Sequence, residues 1–287
     1  MIYKTEAGRH EILRRYSEAL QMWPVPAEHL RVSTREGETF VVACGPEGAP
    51  PLVLCHGSGT NAAMWLADVA EWAKHFRVYA VDMIGEPGFS APSRPSLDSE
   101  AYAQWLDDVL DGLDLGRVSM VGASLGGWLA LDYATRRPRR VDRLALLCPG
   151  GLRRQTYGWV VKALLYKPFG RWGSRRSMKL VAGIDAAKAP EIAEYVGLMF
   201  THFLPRKDKL PVFDDDALKR LAMPVLVIVG GRDAMFDSAE TARRAEHAMP
   251  NASVTLLPEV AHWITGQTAP VLGFLRAMSS GGGSGLP

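Results

Sequence analysis

The sequence predicts an α/β fold with a mostly parallel sheet, helices on both faces and a helical insertion. Short apolar runs alternate with amphipathic helical segments through the first half of the chain, a pattern typical of βαβ units. The alternation stops over residues 151–221, where helix-like segments occur without a convincing strand. That interval is too long for a connecting loop in a compact domain. We therefore predict a core formed by residues 1–150 and 222–278, with a helical cap, or lid, over residues 151–221.

The elements before the cap follow from hydrophobic spacing and from chain breakers. Residues 8–23 carry apolar side chains at helical spacing, and two prolines end this segment. Two strand-like runs, 30–33 and 39–44, flank a short polar turn, which predicts a hairpin at an antiparallel edge of the sheet. Further strands are predicted at residues 52–55, 77–82, 118–121 and 143–148. Further helices are predicted from about residue 61, over 98–113, and from the glycine-rich turn after residue 121 to Pro138.

The sheet is predicted to resume after the cap. Residues 225–229 and 253–257 are apolar, β-branched runs, and a last amphipathic helix covers about residues 269–278. The glycine- and serine-rich residues 279–287 resemble a flexible linker, so we leave them out of the predicted fold.

The composition is that of an ordinary globular protein. Of the 287 residues, 47% are hydrophobic and 22% are charged, and the net charge of +2 gives no reason to expect a nucleic acid partner. Cys44, Cys55 and Cys148 lack the spacing of a disulfide framework or a zinc site, so we expect free thiols in a reducing compartment and no bound metal. No apolar run has the length of a signal-peptide core near residue 1, or of a membrane span elsewhere. These features predict a cytoplasmic protein.

A possible nucleophile stands in the stretch Gly122-Ala123-Ser124-Leu125-Gly126. An apolar strand precedes it and a helical pattern follows at once, which is the setting of a nucleophile elbow. Glycines two residues before and after the serine let the strand and the helix approach without a Cβ clash. By itself the pattern also fits a plain turn of small residues, so its meaning depends on the partners available to Ser124.

An acid and a histidine follow later strands, as a serine nucleophile requires. Asp233 comes just after the strand at 225–229, and His262 follows the strand at 253–257. Parallel sheets gather their functional groups beyond the carboxyl ends of the strands, so these side chains are expected to meet Ser124. The chain order Ser, Asp, His is the one found with a nucleophile elbow of this kind. We therefore predict Ser124, Asp233 and His262 as a catalytic triad.

Two other carboxylates compete for the acid role. Asp82 also follows a strand, but it precedes the serine and lies near two glycines, so we interpret it as a residue that organises its loop. Glu259 is closer to His262 in sequence, but a three-residue separation within one short loop rarely lets a carboxylate reach the ring, and we keep it as a minor alternative.

The loop His56-Gly57-Ser58-Gly59 is the candidate for half of an oxyanion hole. An oxyanion hole needs two donors aimed at the developing negative charge. We predict the backbone N–H of Leu125, the residue after the nucleophile, and the backbone N–H of Ser58. The alternative for this loop is an ordinary glycine turn between a strand and a helix.

The chain resembles the α/β-hydrolase superfamily from about residue 30 to residue 278, and within it the capped bacterial serine carboxylesterases. Two departures are a displaced glycine in the loop after Asp82, and Ala261 where a glycine usually precedes the histidine. The resemblance implies an eight-stranded sheet with a helical cap after strand six. The motifs that carry it are His56-Gly57-Ser58-Gly59, Asp82-Met-Ile-Gly85-Glu-Pro-Gly88-Phe-Ser90, Gly122-Ala-Ser124-Leu-Gly126-Gly127, Gly230-Gly-Arg-Asp233 and His262.

These residues predict a serine hydrolase that cleaves carboxylic esters of small to medium apolar substrates through an acyl-enzyme, without a cofactor. Its partner would be a small-molecule ester. The sequence does not decide the oligomeric state, which is either a monomer or a homodimer. Activity should fall below about pH 6.5 as His262 gains a proton. Three alternatives remain: a C–C bond hydrolase of the meta-cleavage-product type; an acyltransferase, lactonase or perhydrolase; and a receptor that binds without catalysis.

Several large aromatic residues could line an apolar substrate pocket under the cap. For each of them, packing in the hydrophobic core is the competing interpretation. The residues predicted for the pocket are Trp65, Trp128, Trp159, Phe203 and Trp263.

Overall fold

Eight strands form one sheet in the computed structural model of the chain, which describes residues 1–277 apart from the side chains of Lys162 and Arg171. The strand order across the sheet is β1-β2-β4-β3-β5-β6-β7-β8. Pairs β1–β2 and β2–β4 are antiparallel, and every other neighbouring pair is parallel. The predicted fold class is confirmed. The strands are β1 Ala27–Thr34, β2 Gly37–Cys44, β3 Pro51–Cys55, β4 Arg77–Val81, β5 Val118–Ala123, β6 Val141–Leu147, β7 Val225–Gly230 and β8 Ala252–Leu257.

Helices cover both faces of the sheet, because its central strands are apolar on both sides. In β3, Val53 and Cys55 pack on one face and Leu52 and Leu54 on the other. Helices α3, α4 and α9 cover the first face, and α1, α2 and α10 cover the second. The helices of the described residues are α1 Glu6–Gln21, α2 Val69–Trp72, α3 Ala101–Gly112, α4 Leu125–Arg136, α5 Gly158–Tyr166, α6 Gly170–Ala182, α7 Pro190–His202, α8 Asp215–Lys219, α9 Ser238–Ala248 and α10 Thr268–Arg276.

The helix predicted from about residue 61 is broken in the structure. A 3₁₀ turn, Ala62–Trp65, is followed by turns and by the four-residue helix α2. The break occurs near Asp68, whose carboxylate accepts a hydrogen bond from Thr268 on the neighbouring α10. The apolar spacing that suggested one helix is still satisfied, because Trp65 and Trp72 are buried and lie 5.8 Å apart.

Helices α5 to α8 lie between β6 and β7, in the segment predicted as the cap. The chain start attaches to α7: the N–H of Lys4 donates to the His202 carbonyl at 2.8 Å, and the N–H of Leu204 donates to the Ile2 carbonyl at 2.8 Å. Helix α1 also packs along α7. The first 21 residues therefore connect α7 to the sheet. The predicted tail, residues 279–287, lies outside the described residues, as does Met278 at the end of the predicted last helix.

Candidate active site

Ser124 occupies a strained turn between β5 and α4. Its backbone angles are φ 52° and ψ −110°, in a region that residues with a side chain rarely adopt. A Cβ at Gly122 would collide with the Gly126 carbonyl, and a Cβ at Gly126 would collide with the Cys55 carbonyl at the end of β3. Both glycines are therefore required for the helix to start this close to the sheet, and the turn projects the serine beyond the strand ends.

One imidazole bridges Ser124 and Asp233. His262 Nε2 lies 2.9 Å from Ser124 Oγ, and His262 Nδ1 lies 2.7 Å from Asp233 Oδ2. Because a carboxylate only accepts, Nδ1 carries a proton toward Asp233 and Nε2 is left to accept from the serine hydroxyl. This arrangement can remove the serine proton and hold the resulting imidazolium.

Hydrogen bonds between two loops bring Asp233 to His262. The N–H of Gly231 donates to the Leu257 carbonyl at 2.8 Å, which joins the loop after β7 to the end of β8. Asp233 Oδ1 accepts from the N–H groups of Met235 at 2.7 Å and Phe236 at 3.2 Å. The Asp233 side chain is fully buried. Its second oxygen is thereby held toward the imidazole.

Cys148, at the end of β6, lies against the histidine. Its Sγ is 3.1 Å from the His262 carbonyl, to which the thiol donates, and 4.0 Å from His262 Nε2. Burial lowers the pKa of His262, but the Cys148 sulfur and the Asp233 carboxylate raise it, and the net direction is upward. The sequence indicated only that Cys148 lies near a strand end as a free thiol, and its contact with the histidine depends on the order of the strands.

Asp82 is hydrogen-bonded to residues other than His262. Its Oδ1 accepts from the Tyr16 hydroxyl at 2.8 Å and from the Ala62 N–H at 2.9 Å, and its Oδ2 accepts from the Phe89 N–H at 2.8 Å. Burial raises the pKa of Asp82 to about 6 despite these donors. This carboxylate ties α1 to two loops, in agreement with the loop-organising interpretation.

Glu259, the minor alternative for the acid, points to a different partner. It forms an ion pair with Arg232, and both side chains are largely exposed. The acid beside His262 in the structure is Asp233.

The loop predicted as half of the oxyanion hole lies beside Ser124. A Cβ added at Gly57 would be 3.6 Å from Ser124 Cβ. His56 is buried behind the loop: its Nε2 accepts from the Met83 N–H at 2.9 Å, so its Nδ1–H donates to the Gly57 carbonyl at 2.8 Å. Burial lowers the pKa of His56 to about 4, which keeps the ring neutral and this pattern intact. Leu125 begins α4, where helix N–H groups lack partners within the helix.

Glu86 holds the other side of this loop, a role that was not predicted from the sequence. Its Oε2 accepts from the Gly59 N–H at 2.6 Å and from the Ser58 hydroxyl at 3.3 Å. The side chain is buried, and burial raises its pKa to about 7. A signal was present in the sequence, because Glu86 lies directly after Gly85 in the motif whose second glycine is displaced.

Comparison with known proteins identifies the family. Residues 52–273 match the Alpha/beta hydrolase family. The chain is 31% identical to a carboxylesterase of Bacillus subtilis strain 168, designated nap and otherwise uncharacterized, over 86% of this chain and 84% of the relative. The chain belongs to the alpha/beta hydrolase family.

A second relative and two solved structures similar to this alpha/beta hydrolase are also carboxylesterases. Carboxylesterase YbfK of B. subtilis strain 168 is 30% identical over 87% of this chain and 86% of its own length. Its crystal structure, under the name CesB, superposes with a TM-score of 0.81 over 94% of this chain and 99% of that one. Naproxen esterase from B. subtilis superposes with a TM-score of 0.80 at 28% identity, over 93% of this chain and 95% of that one. These likenesses support a carboxylesterase-type hydrolase.

Three of the aromatic residues predicted for a substrate pocket of this hydrolase are core residues instead, which corrects that prediction. Trp65 packs against Trp72, and Phe203 packs in a cluster with Ile2, Tyr3 and Ile12 from the first residues of the chain. Trp128 stacks on Phe213, with ring centroids 5.9 Å apart. All three are about 1% exposed, so they offer no surface to a substrate.

Trp159 and Trp263 are partly exposed, so their place in the predicted pocket stays a prediction. Trp159 belongs to α5 in the cap, where its indole N–H donates to the Thr156 carbonyl at 3.0 Å. Trp263, next to the histidine, packs against the cap cluster of Met178, Ile184, Ala193 and Val196.

Residues 1–277, the part of the chain that the structure describes, contain neither a metal-ligand cluster nor a membrane-spanning helix. Within that range, no group of three or more histidine, cysteine, aspartate or glutamate side chains is placed to hold a metal ion. No helix in the same range combines the length and the apolar character needed to cross a membrane.

Proposed function

We propose that this alpha/beta hydrolase cleaves carboxylic esters of small to medium apolar substrates, with Ser124 as nucleophile and an acyl-enzyme as intermediate. The observation that carries the proposal is the unbroken hydrogen-bonded chain from Ser124 through His262 to Asp233, with distances of 2.9 and 2.7 Å. The carboxylesterases among its relatives support the same reaction class.

Acylation begins when His262 Nε2 takes the serine proton as Oγ attacks the ester carbonyl. Asp233 holds the ring and stabilises the imidazolium that forms. The backbone N–H groups of Ser58 and Leu125 donate to the oxyanion of the tetrahedral intermediate. When the intermediate collapses, the bond from carbonyl carbon to alkoxy oxygen breaks, and His262 returns its proton to the departing alcohol.

Deacylation repeats these steps with water in place of the serine hydroxyl. His262 takes a proton from water, the hydroxide adds to the acyl carbonyl, and the ester bond to Ser124 Oγ breaks as the proton returns to that oxygen. The products are a carboxylic acid and the free serine, and the cycle uses no metal or organic cofactor.

Glu86 has a supporting role in this mechanism. The Ser58 N–H can serve the oxyanion only if its loop keeps its shape while charge develops. The hydrogen bond from the Gly59 N–H to Glu86 fixes the residue directly after Ser58, at 2.6 Å. Glu86 is therefore a positioning residue for the oxyanion loop rather than a group that touches substrate.

The preference for apolar substrates rests on Trp159 and Trp263. Trp263 directly follows His262 in the chain and packs against the cluster of Met178, Ile184, Ala193 and Val196. We propose that an acyl or alcohol group bound at Ser124 contacts its indole ring. Aromatic side chains supply large apolar contact area at a binding site.

A panel of p-nitrophenyl and alkyl esters, with acyl and alcohol groups varied separately, tests the proposal. We expect hydrolysis of medium-length and aryl esters by the wild-type chain and none above background by Ser124→Ala. A vinylogous diketone and an acyl transfer assay with added alcohols belong in the same panel. The proposal is wrong if diketone cleavage or transfer exceeds ester hydrolysis, or if no substrate is turned over.

A further inference from the structure

The outer surface of the cap at α5, α6 and the turn between them exposes an unusual amount of apolar area. Six large apolar residues within the sixteen residues 157–172 are between 51% and 67% exposed. Soluble proteins rarely leave so many neighbouring apolar side chains uncovered unless something binds there. We call this segment the cap ridge. Its exposed apolar residues are Tyr157, Val161, Leu164, Leu165, Phe169 and Trp172.

The cap ridge joins one face of α5 to the turn before α6, and α6 is packed on its opposite side. Val161, Leu164 and Leu165 have the i, i+3, i+4 spacing of a single face of α5. The rings of Phe169 and Trp172 lie 5.7 Å apart at the turn. On α6, by contrast, Met178 is buried in a cluster with residues of α7. The exposed rings therefore belong to a second apolar surface that the fold of the described residues does not use.

All the charged residues in the sequence around the cap ridge are basic. Residues 153–184 contain no aspartate or glutamate. Lys167, Arg175 and Arg176 are exposed on the ridge or beside it. Two other cations of the segment are paired with acids outside it, Lys179 with Asp185 at 2.7 Å and Arg153 with Glu240 at 3.9 Å. The eight basic residues of the segment are Arg153, Arg154, Lys162, Lys167, Arg171, Arg175, Arg176 and Lys179.

We propose that the cap ridge binds the surface of an anionic phospholipid membrane. Aromatic and leucine side chains enter the boundary between headgroups and acyl chains, while lysine and arginine contact the lipid phosphates. A second copy of the chain is the less favourable occupant, because a symmetric interface would set like charges of the two ridges against each other. The acid-free composition matches a negatively charged surface instead.

Co-sedimentation of the full chain with vesicles tests this proposal. We expect binding to vesicles of phosphatidylcholine mixed with phosphatidylglycerol, little binding to phosphatidylcholine alone, and release at high salt. Since basic residues near an anionic surface attract the membrane, Arg175→Glu with Arg176→Glu should weaken binding by about tenfold or more. Leu164→Glu with Leu165→Glu should also reduce binding. Leu256→Glu, a substitution of an apolar residue that is 40% exposed on β8, is the matched control and should bind as the wild type does.

Several outcomes would overturn the proposal. They are no sedimentation with either vesicle, equal sedimentation with both, or a dimer seen by light scattering that the Leu164→Glu, Leu165→Glu variant loses. If a ridge variant fails to fold by circular dichroism, the lipid and salt dependence of the wild-type chain still decides the question. Ser124→Ala should bind vesicles normally, so failure of this proposal is distinguishable from failure of the esterase proposal.

Discussion

Asp233 and Asp82 are both buried carboxylates at strand ends, yet their partners assign them different roles. Asp233 faces the imidazole of His262, whereas Asp82 accepts from a tyrosine hydroxyl and two backbone N–H groups. We expect Asp233→Asn to lower kcat by about 10⁴, because the amide favours the wrong tautomer of the histidine.

Asp82→Asn is the matched control for that substitution. It should leave most of the activity in correctly folded protein. It should lower the melting temperature, because both Asp82 oxygens accept hydrogen bonds and the amide nitrogen of asparagine would face one of these donors, such as the Phe89 N–H. Steady-state kinetics with thermal unfolding of both variants checks this. If the Asp233→Asn variant kept its kcat and the Asp82→Asn variant lost it, Asp82 would be the catalytic acid and the assignment of Asp233 would be wrong.

In the proposed mechanism, His262 sets the pH dependence of ester hydrolysis. The base must be neutral to accept the serine proton, and the net shift of its pKa is upward from 6.5. The acid limb of kcat/KM should therefore lie above about pH 6.5, with activity rising as pH increases through the limb. A pH–rate profile measures the limb directly. A rate that is flat down to pH 5 would exclude a histidine base with this environment.

Substitution of Glu86 tests the proposed role of the loop at residues 56–59 in the oxyanion hole. Glu86→Ala removes the acceptor for the Gly59 N–H, and we expect kcat to fall about tenfold with KM little changed, the loss expected for one hydrogen bond to a charged group. Glu86→Gln keeps an acceptor oxygen and should recover most of that loss.

Melting temperatures distinguish a loss of loop positioning in the Glu86 variants from a loss of folded protein. Burial raises the pKa of Glu86 to about 7, above the value near 4.3 of an unfolded glutamate, so ionisation opposes folding as pH rises through this range. Glu86→Gln should therefore melt no lower than the wild type at pH 8. Equal kcat for the wild type, Ala and Gln variants would show that Glu86 does not support catalysis.

The local sequence predicts some helices and strands correctly, but not where a distant element interrupts a helix. The strand at 118–121 and the helix after it were predictable, because the apolar run, the glycines and Ser124 all fit one strand–turn–helix unit. The break in the helix predicted from residue 61 was not predictable, because it occurs where Asp68 accepts a hydrogen bond from Thr268 of the distant helix α10. Apolar spacing shows that Trp65 and Trp72 are buried, but it cannot show whether a helix or a series of turns buries them.

The contact of α6 with the histidine loop is an element-scale feature that can be tested. Gly183 ends α6 at φ 78°, and a Cβ added there would lie 2.7 Å from the Ala261 Cβ. The N–H of Trp263 donates to the Ala182 carbonyl at 2.9 Å in the same contact. Gly183 thus provides the room for Ala261, the residue where a glycine was expected.

We expect Gly183→Ala to destabilise this contact by at least about 1–2 kcal/mol, the typical cost of a left-handed backbone for a residue with a side chain. The clash with Ala261 should also displace the loop of His262 and lower kcat/KM. Urea unfolding and ester kinetics measure the two effects. Restored activity in Gly183→Ala with Ala261→Gly would support the contact, and wild-type behaviour of Gly183→Ala alone would contradict it.

The whole molecule is a sheet packed on both faces, and this arrangement explains which parts of the site the sequence could predict. Ser124, Asp233 and His262 follow strands β5, β7 and β8, whose parallel pairing through β6 places their ends along one edge. That placement could be predicted, since parallel strands end together. The contacts of Cys148 and Glu86 could not, because they depend on side-chain burial and on loops from distant parts of the chain.

The most direct measurement on the whole chain is mass spectrometry after reaction with a fluorophosphonate, followed by peptide mapping. We expect a single adduct on Ser124 of the wild-type chain, slower labelling of Asp233→Asn, and no adduct on Ser124→Ala. An adduct on another residue, or ester hydrolysis that survives in Ser124→Ala, would contradict a nucleophilic Ser124 activated by His262 and Asp233.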